Sequence, residues 1–163
     1  MSRTIAPFQH VLLASAAFGN SGNGLDLDGA TTQAQYFPID AAFTINIDQC
    51  GFLMTTDYAG NATPAILALE TTPDGTNFTE IATSNLGASA IAVGRQRRFT
   101  GTTYNPLTAP GTQTGGTATS KSVTIVPASS SAPNCGVRIR LKQAAAATTA
   151  GVGIGIIGGA LEQ

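Results

Sequence analysis

Ala65-Ile66-Leu67-Ala68-Leu69-Glu70-Thr71-Thr72-Pro73-Asp74-Gly75-Thr76-Asn77-Phe78-Thr79-Glu80-Ile81 reads as a strand, a turn and a second strand. The turn signal is chemical. Pro73 fixes its own φ where the first central position of a turn needs it, Asp74 can bond its own backbone, and Gly75 accepts positive φ. Two paired strands are predicted here, and the rest of the chain can be read around them.

Downstream, Val137, Ile139 and Leu141 alternate with Arg138, Arg140 and Lys142, the period of a half-buried strand. Val152 to Ile157 alternates with glycines and predicts a last strand. Upstream, Phe43, Ile45 and Ile47 fall on one face, with Thr44, Asn46 and Asp48 on the other. Phe52 to Thr56 either extends that strand past a kink at Gly51 or forms the next one, and Ser122 to Val126 adds a further strand. No long window carries helical periodicity, and the four alanines 144–147 are too few to hold a helix alone. Short strands separated by turn signals predict an all-β fold: two antiparallel sheets packed as a β-sandwich, jelly-roll-like in its nearest alternative.

Residues 1–39 lack sustained periodicity and are expected to form an extended N-terminal arm or peripheral segment, with 40–163 as the sandwich domain. In the arm Val11, Leu12, Leu13 and Phe18 need cover, from the domain or from a neighbouring subunit. Residues 83–121, rich in Thr, Gly, Ala and Ser, predict a long polar loop or a polar hairpin, best placed at Arg97 to Tyr104.

Eight Lys and Arg and nine Asp and Glu in 163 residues make a charge-poor chain of net charge −1. A surface with so little electrostatic protection is biased toward self-association, so a homo-oligomer is expected. Nucleic acid is not an expected partner, because that footprint is a strongly basic face. Arg95, Arg97 and Arg98 in Gly-Arg-Gln-Arg-Arg-Phe are read as a protein-interface loop, where arginine is enriched. Arg138 and Arg140, with Lys142, form a basic row that is the second candidate contact; the alternative is a solvated strand face.

Membrane insertion is not expected: residues 144–161 are uncharged, but their glycines alternate with Val152, Ile154 and Ile156 as in a strand. Val11 to Ala16, with Arg3 upstream, mimics a secretion signal, yet its apolar run is short and follows Gln9 and His10. Cys50 and Cys135 have no metal-ligand spacing, and burial as small hydrophobes is expected, with a disulfide open if their strands adjoin.

Catalytic constellations are missing from the pattern. His10 is the single histidine, so a nucleophile would lack its base, and Glu70, Glu80 and Glu162 are the only glutamates. Glu70 and Glu80 can approach across the hairpin, where a solvated face is expected for both. Asp26 and Asp28 could offer oxygens to calcium, but the position where a bidentate glutamate is needed holds Phe37, so no metal is expected. The glycines at 151, 153 and 155 do not open a helix and make no dinucleotide loop. No cofactor and no enzymatic activity are expected.

The run Leu67 to Ile81, with Gly136-Val137-Arg138-Ile139-Arg140-Leu141 and the Gly-rich last strand, resembles small β-sandwich domains of tailed-bacteriophage structural proteins. It departs from their pattern at Thr72-Pro73 and at Phe78, where tryptophan is frequent. The resemblance implies a non-enzymatic virion component, a capsid decoration or cement protein whose partners are its own copies and the major capsid protein. Similar turns occur in carbohydrate-binding jelly rolls, so the alternative is a tail or fibre module that binds a host glycan or surface protein. Tyr58, Tyr104 and Asn105 would then be its contacts, although a chain without tryptophan lacks the usual sugar-stacking group.

Overall fold

The computed structural model describes residues 5–8, 24–38, 44–99, 123–126, 128, 135–146 and 150–162. Among them are ten strands and no helix: β1 (Ile5–Phe8), β2 (Leu25–Asp26), β3 (Ala34–Pro38), β4 (Thr44–Met54), β5 (Ile66–Thr72), β6 (Thr79–Asn85), β7 (Gln96–Arg98), β8 (Val123–Ile125), β9 (Gly136–Gln143) and β10 (Val152–Glu162). They form two antiparallel sheets. One has the order β3-β9-β5-β6. The other runs β1-β10-β4-β7, with β2 sharing the β1 flank of β10 and β8 sharing the β7 flank of β4, so each sheet is four positions wide. Residues of both sheets, among them Phe52, Met54 and Ile157 on one and Phe37, Leu67, Leu69 and Ile139 on the other, join in a single buried cluster. The architecture is a β-sandwich.

The hairpin expected from residues 65–81 is β5–β6. Its connection is organised by two side chains. Thr72 Oγ1 accepts the Gly75 N–H at 2.7 Å, while Asp74 Oδ1 accepts the Thr76 and Asn77 N–H groups, each at 2.8 Å. Asn77 Nδ2 donates to Asp74 Oδ2 at 2.6 Å, and Gly75 takes φ +77°. The backbone N–H groups of Asn77 and Thr76 hold the Asp74 carboxyl far below its ordinary value. A depressed carboxyl stabilises the fold above its unfolded value, about 3.9, and that contribution fades as pH falls below it. Asp74→Ala is therefore expected to lower the urea midpoint at pH 7, with a gap from the parent that narrows steadily as pH falls from about 4 toward 2. A gap that stays constant across that range would refute this account of the turn.

A bulge shapes the hairpin further. Leu69 faces Ala82 and Glu70 faces Glu80, so Ile81 is an extra residue on β6, and both Ile81 and Ala82 reach the core. In the other sheet β4 runs without a break through Gly51, which settles the two sequence readings of that region in favour of one strand. The long β10 packs through its glycines. A Cβ on Gly153 would lie 2.2 Å from a ring carbon of Phe52, and one on Gly155 would lie 2.4 Å from Ile139 Cδ1 in the opposite sheet. Close approach, of a neighbouring strand's ring at Gly153 and of the opposite sheet at Gly155, accounts for these glycines rather than phosphate binding.

Residues 1–39 contribute more to the sandwich than their composition suggests. β1 and β2 pair with β10, and β3 pairs with β9, so this span supplies three strands of the sandwich. Gln35 of β3 is buried, and its Oε1 accepts the Gly155 N–H at 2.6 Å, joining the two sheets. The segment 86–98 is also structured: Tyr58 and Ile91 form an isolated bridge, and β7 pairs with β4 at Gly51 to Leu53. Of the polar hairpin expected over Arg97 to Tyr104, Arg97 and Arg98 are strand and pair with β4, and residues 100–122 lie outside the described ones.

Candidate interaction surfaces

The outer face of the four-stranded sheet carries the charged row. Period two puts Arg138 and Arg140 of β9 on that face, and antiparallel pairing sets Glu70 of β5 beside Arg138 and Ala68 beside Arg140. Arg138 donates from Nε to Glu70 Oε2 at 2.6 Å and from Nη2 at 2.5 Å. Arg140 donates from Nε and Nη2 to Glu70 Oε1 at 3.0 and 2.9 Å. Each carboxylate oxygen thus receives one guanidinium side-on. The Arg138 guanidinium carbon sits 3.5 Å from the centroid of Phe78, and Tyr36 meets Phe78 edge-on at 6.4 Å.

This arrangement corrects two expectations. Arg138 and Arg140 are not a free basic row, since their side chains, 24% and 27% exposed, converge on one carboxylate. Glu70 is not on a solvated face either: it is 5% exposed, covered by the arginines it binds. Only the outermost pair fits the solvated reading, with Lys142 Nζ donating to Glu80 at 2.7 Å between exposed side chains. Such a pair contributes about 0.2–1 kcal/mol. The inner triad is structural first: breaking a buried charge pair costs far more than an exposed one.

The second candidate surface is the approach to β7. Val93, Gly94 and Arg95 make a tight turn in which the Arg95 N–H donates to Ala92 O at 3.2 Å and Gly94 takes φ +79°. Its backbone is clamped to β4, with Gly94 N–H donating to Met54 O at 2.9 Å and Met54 N–H to Arg95 O at 3.0 Å. Asp57 Oδ1 accepts the Val93 N–H at 2.7 Å. Ala92 to Arg97 are exposed without interruption, and Val93 is 57% exposed. Arg95 and Arg97 therefore stand on a fixed backbone at the surface, as an interface loop requires. The Arg98 backbone belongs to β7, but its side chain lies outside the described set.

The remaining sequence candidates divide cleanly. Val11, Leu12, Leu13 and Phe18 lie outside the described residues, as do Tyr104 and Asn105. Tyr58 is not an exposed contact: it is 1% exposed, its hydroxyl donating to Gly87 O at 3.1 Å and accepting the Ala65 N–H at 3.3 Å. Asp26 and Asp28 lie side by side, and hydrogen bonding to Asp28, then burial, raises the Asp26 carboxyl above its ordinary value. Asp28 Oδ2 accepts the Ala150 N–H at 3.3 Å. Among the described residues no cluster of three His, Cys, Asp or Glu side chains is placed to hold a metal. Cys50 and Cys135 are both free and buried, and burial pushes both thiols up.

Glu70, Phe78 and Tyr36 are the site residues that sequence reading misses as a group. Opposite charges on facing strands are the signal that could reveal Glu70, but it needs the β5–β9 pairing, which spans 68 residues of sequence. No protein family, no curated protein and no solved structure matches the chain.

Proposed function

We propose that this chain is a non-enzymatic structural protein of a virion, a capsid decoration or cement protein that stabilises a phage head through subunit contacts. The observation that carries the reading is the adjacency of the two segments on which the resemblance stands. The strand-turn-strand of residues 67–81 and the Arg138-Ile139-Arg140 strand are neighbours in one sheet, tied through Glu70. The charge-poor composition supports it, since such a surface suits a protein packed among copies of itself. The mechanism is passive: each subunit adds interface area across the shell, and a stable contact needs on the order of 1,000 Å².

Immunogold labelling of phage particles with an antibody raised against the purified chain tests the location, and light scattering of the purified chain tests the assembly. Regular labelling of heads is the expected result. A monomer that neither labels particles nor binds emptied capsids would overturn the proposal, and labelling confined to tail tips would favour the recognition module.

A further inference from the structure

Charge is distributed unevenly along one lateral row of the six-stranded sheet. Arg95, Met54, Gly153 and Leu25 follow one another across it: Arg95 O accepts the Met54 N–H, Met54 faces Gly153, and Gly153 faces Leu25. Arg95 thus stands at the β7 edge and Asp26, next to Leu25, at the β2 edge. Three strand spacings of about 4.8 Å put roughly 14 Å between them.

The two edges are opposite in sign. Among the described residues Arg138, Arg140 and Lys142 each have a carboxylate partner, whereas Arg95 and Arg97 have none. Asp57 lies under the same turn, its Oδ1 accepting the Val93 N–H, so this edge sets two arginines against one carboxylate. On the β2 edge the half-buried Asp26 and Asp28 carboxyls lie together, and a cation brought beside them favours their charged form. The cationic edge is also preorganised, because Asp57, Met54 and Ala92 fix the turn that bears Val93 and Arg95. Little ordering is then left to oppose binding.

We propose that the Val93–Arg97 edge of one copy docks on the Asp26–Asp28 edge of the next, with Arg95 and Arg97 facing the two carboxylates and Val93 covered by the partner. A second copy is the occupant that the complementary edges of one sheet select. An exposed valine at the centre of the cationic turn adds to a protein contact and nothing to a phosphate backbone. Since the two patches differ, the contact is head-to-tail, closing into a ring or running on as a chain. It rests on the self-assembly that the proposed function assumes, but not on the virion as its place.

Sedimentation velocity of the full chain over a concentration series tests it. Wild type is expected to associate, more weakly at high salt, and Arg95→Glu with Arg97→Glu to reduce the association constant about tenfold or more. Both arginines are exposed, so circular dichroism of that variant should be unchanged. Asp26→Lys with Asp28→Lys should fail to associate alone and associate again when mixed with the arginine variant. Should the lysine variant not fold, Val93→Ser replaces it, with severalfold weaker association expected. A wild-type monomer throughout the series, or association untouched by the arginine changes, overturns the contact. Loss of dT12 oligonucleotide binding in the arginine variant, with association intact, reassigns the edge to nucleic acid and overturns it too. Association with no labelling of particles instead leaves the contact standing and removes the virion reading.

Discussion

Gly153→Val is expected to destabilise the fold by about 3 kcal/mol or more, the upper range for overpacking a core. The reason is the absence of room on two sides. A Cβ at this position would sit 2.2 and 2.6 Å from Cε1 and Cζ of Phe52 and 2.8 Å from the Leu53 carbonyl oxygen. The Phe52 ring is fully buried, so it cannot swing into solvent, and the Leu53 oxygen belongs to β4, whose ladder with β10 is the longest among the described residues. Valine would force either the ring off its rotamer or the two strands apart. Gly87 supplies the control. It takes φ +76° but has nothing within 4 Å of a built Cβ, so Gly87→Ala pays only for left-handed backbone, about 1 kcal/mol. Urea denaturation of both variants decides the matter. If Gly153→Val unfolds at the same midpoint as Gly87→Ala, the close approach of Phe52 to β10 does not limit packing.

Legibility of the fold followed the range over which each signal acts. The β5–β6 hairpin was legible because Thr72, Asp74 and Gly75 organise its connection within a few residues of one another. β9 and β10 were legible because Val137, Ile139 and Leu141, and the glycines between Val152 and Ile157, keep period two. The strands within residues 1–39 were not, since each depends on a distant partner. β1 is four residues long and contains Pro7, and β3 turns Gln35 inward, an amide that burial tolerates only because Gly155 N–H reaches it from the other sheet. β7, Gln-Arg-Arg, has no apolar residue and is a strand because β4 offers it an edge. The candidate surfaces show the same division. The exposure of Arg95 and Arg97 was legible from local polarity, whereas the engagement of Arg138 and Arg140 required knowing that β5 lies beside β9.

That engagement predicts an asymmetric response to substitution. Glu70→Ala should cost about 2–3 kcal/mol, below the 3–5 kcal/mol of a fully buried broken pair, because the arginine side chains keep partial access to water that screens their repulsion. It leaves two guanidinium groups side by side on one sheet face with no carboxylate between them. Glu70→Gln should cost nearly as much, since the amide keeps the shape but brings no charge. Removing Arg140 alone should cost less: Glu70 retains both hydrogen bonds from Arg138, whose guanidinium also stacks on Phe78. Replacing the whole triad with Glu70→Leu, Arg138→Met and Arg140→Met should recover most of the stability lost in Glu70→Ala, because no uncompensated charge remains. The four unfolding midpoints, taken together, separate a charge effect from a packing effect. Were the triple variant less stable than Glu70→Ala, the triad would be stabilising in its own right, and the outer face would depend on its ion pairs rather than merely tolerating them.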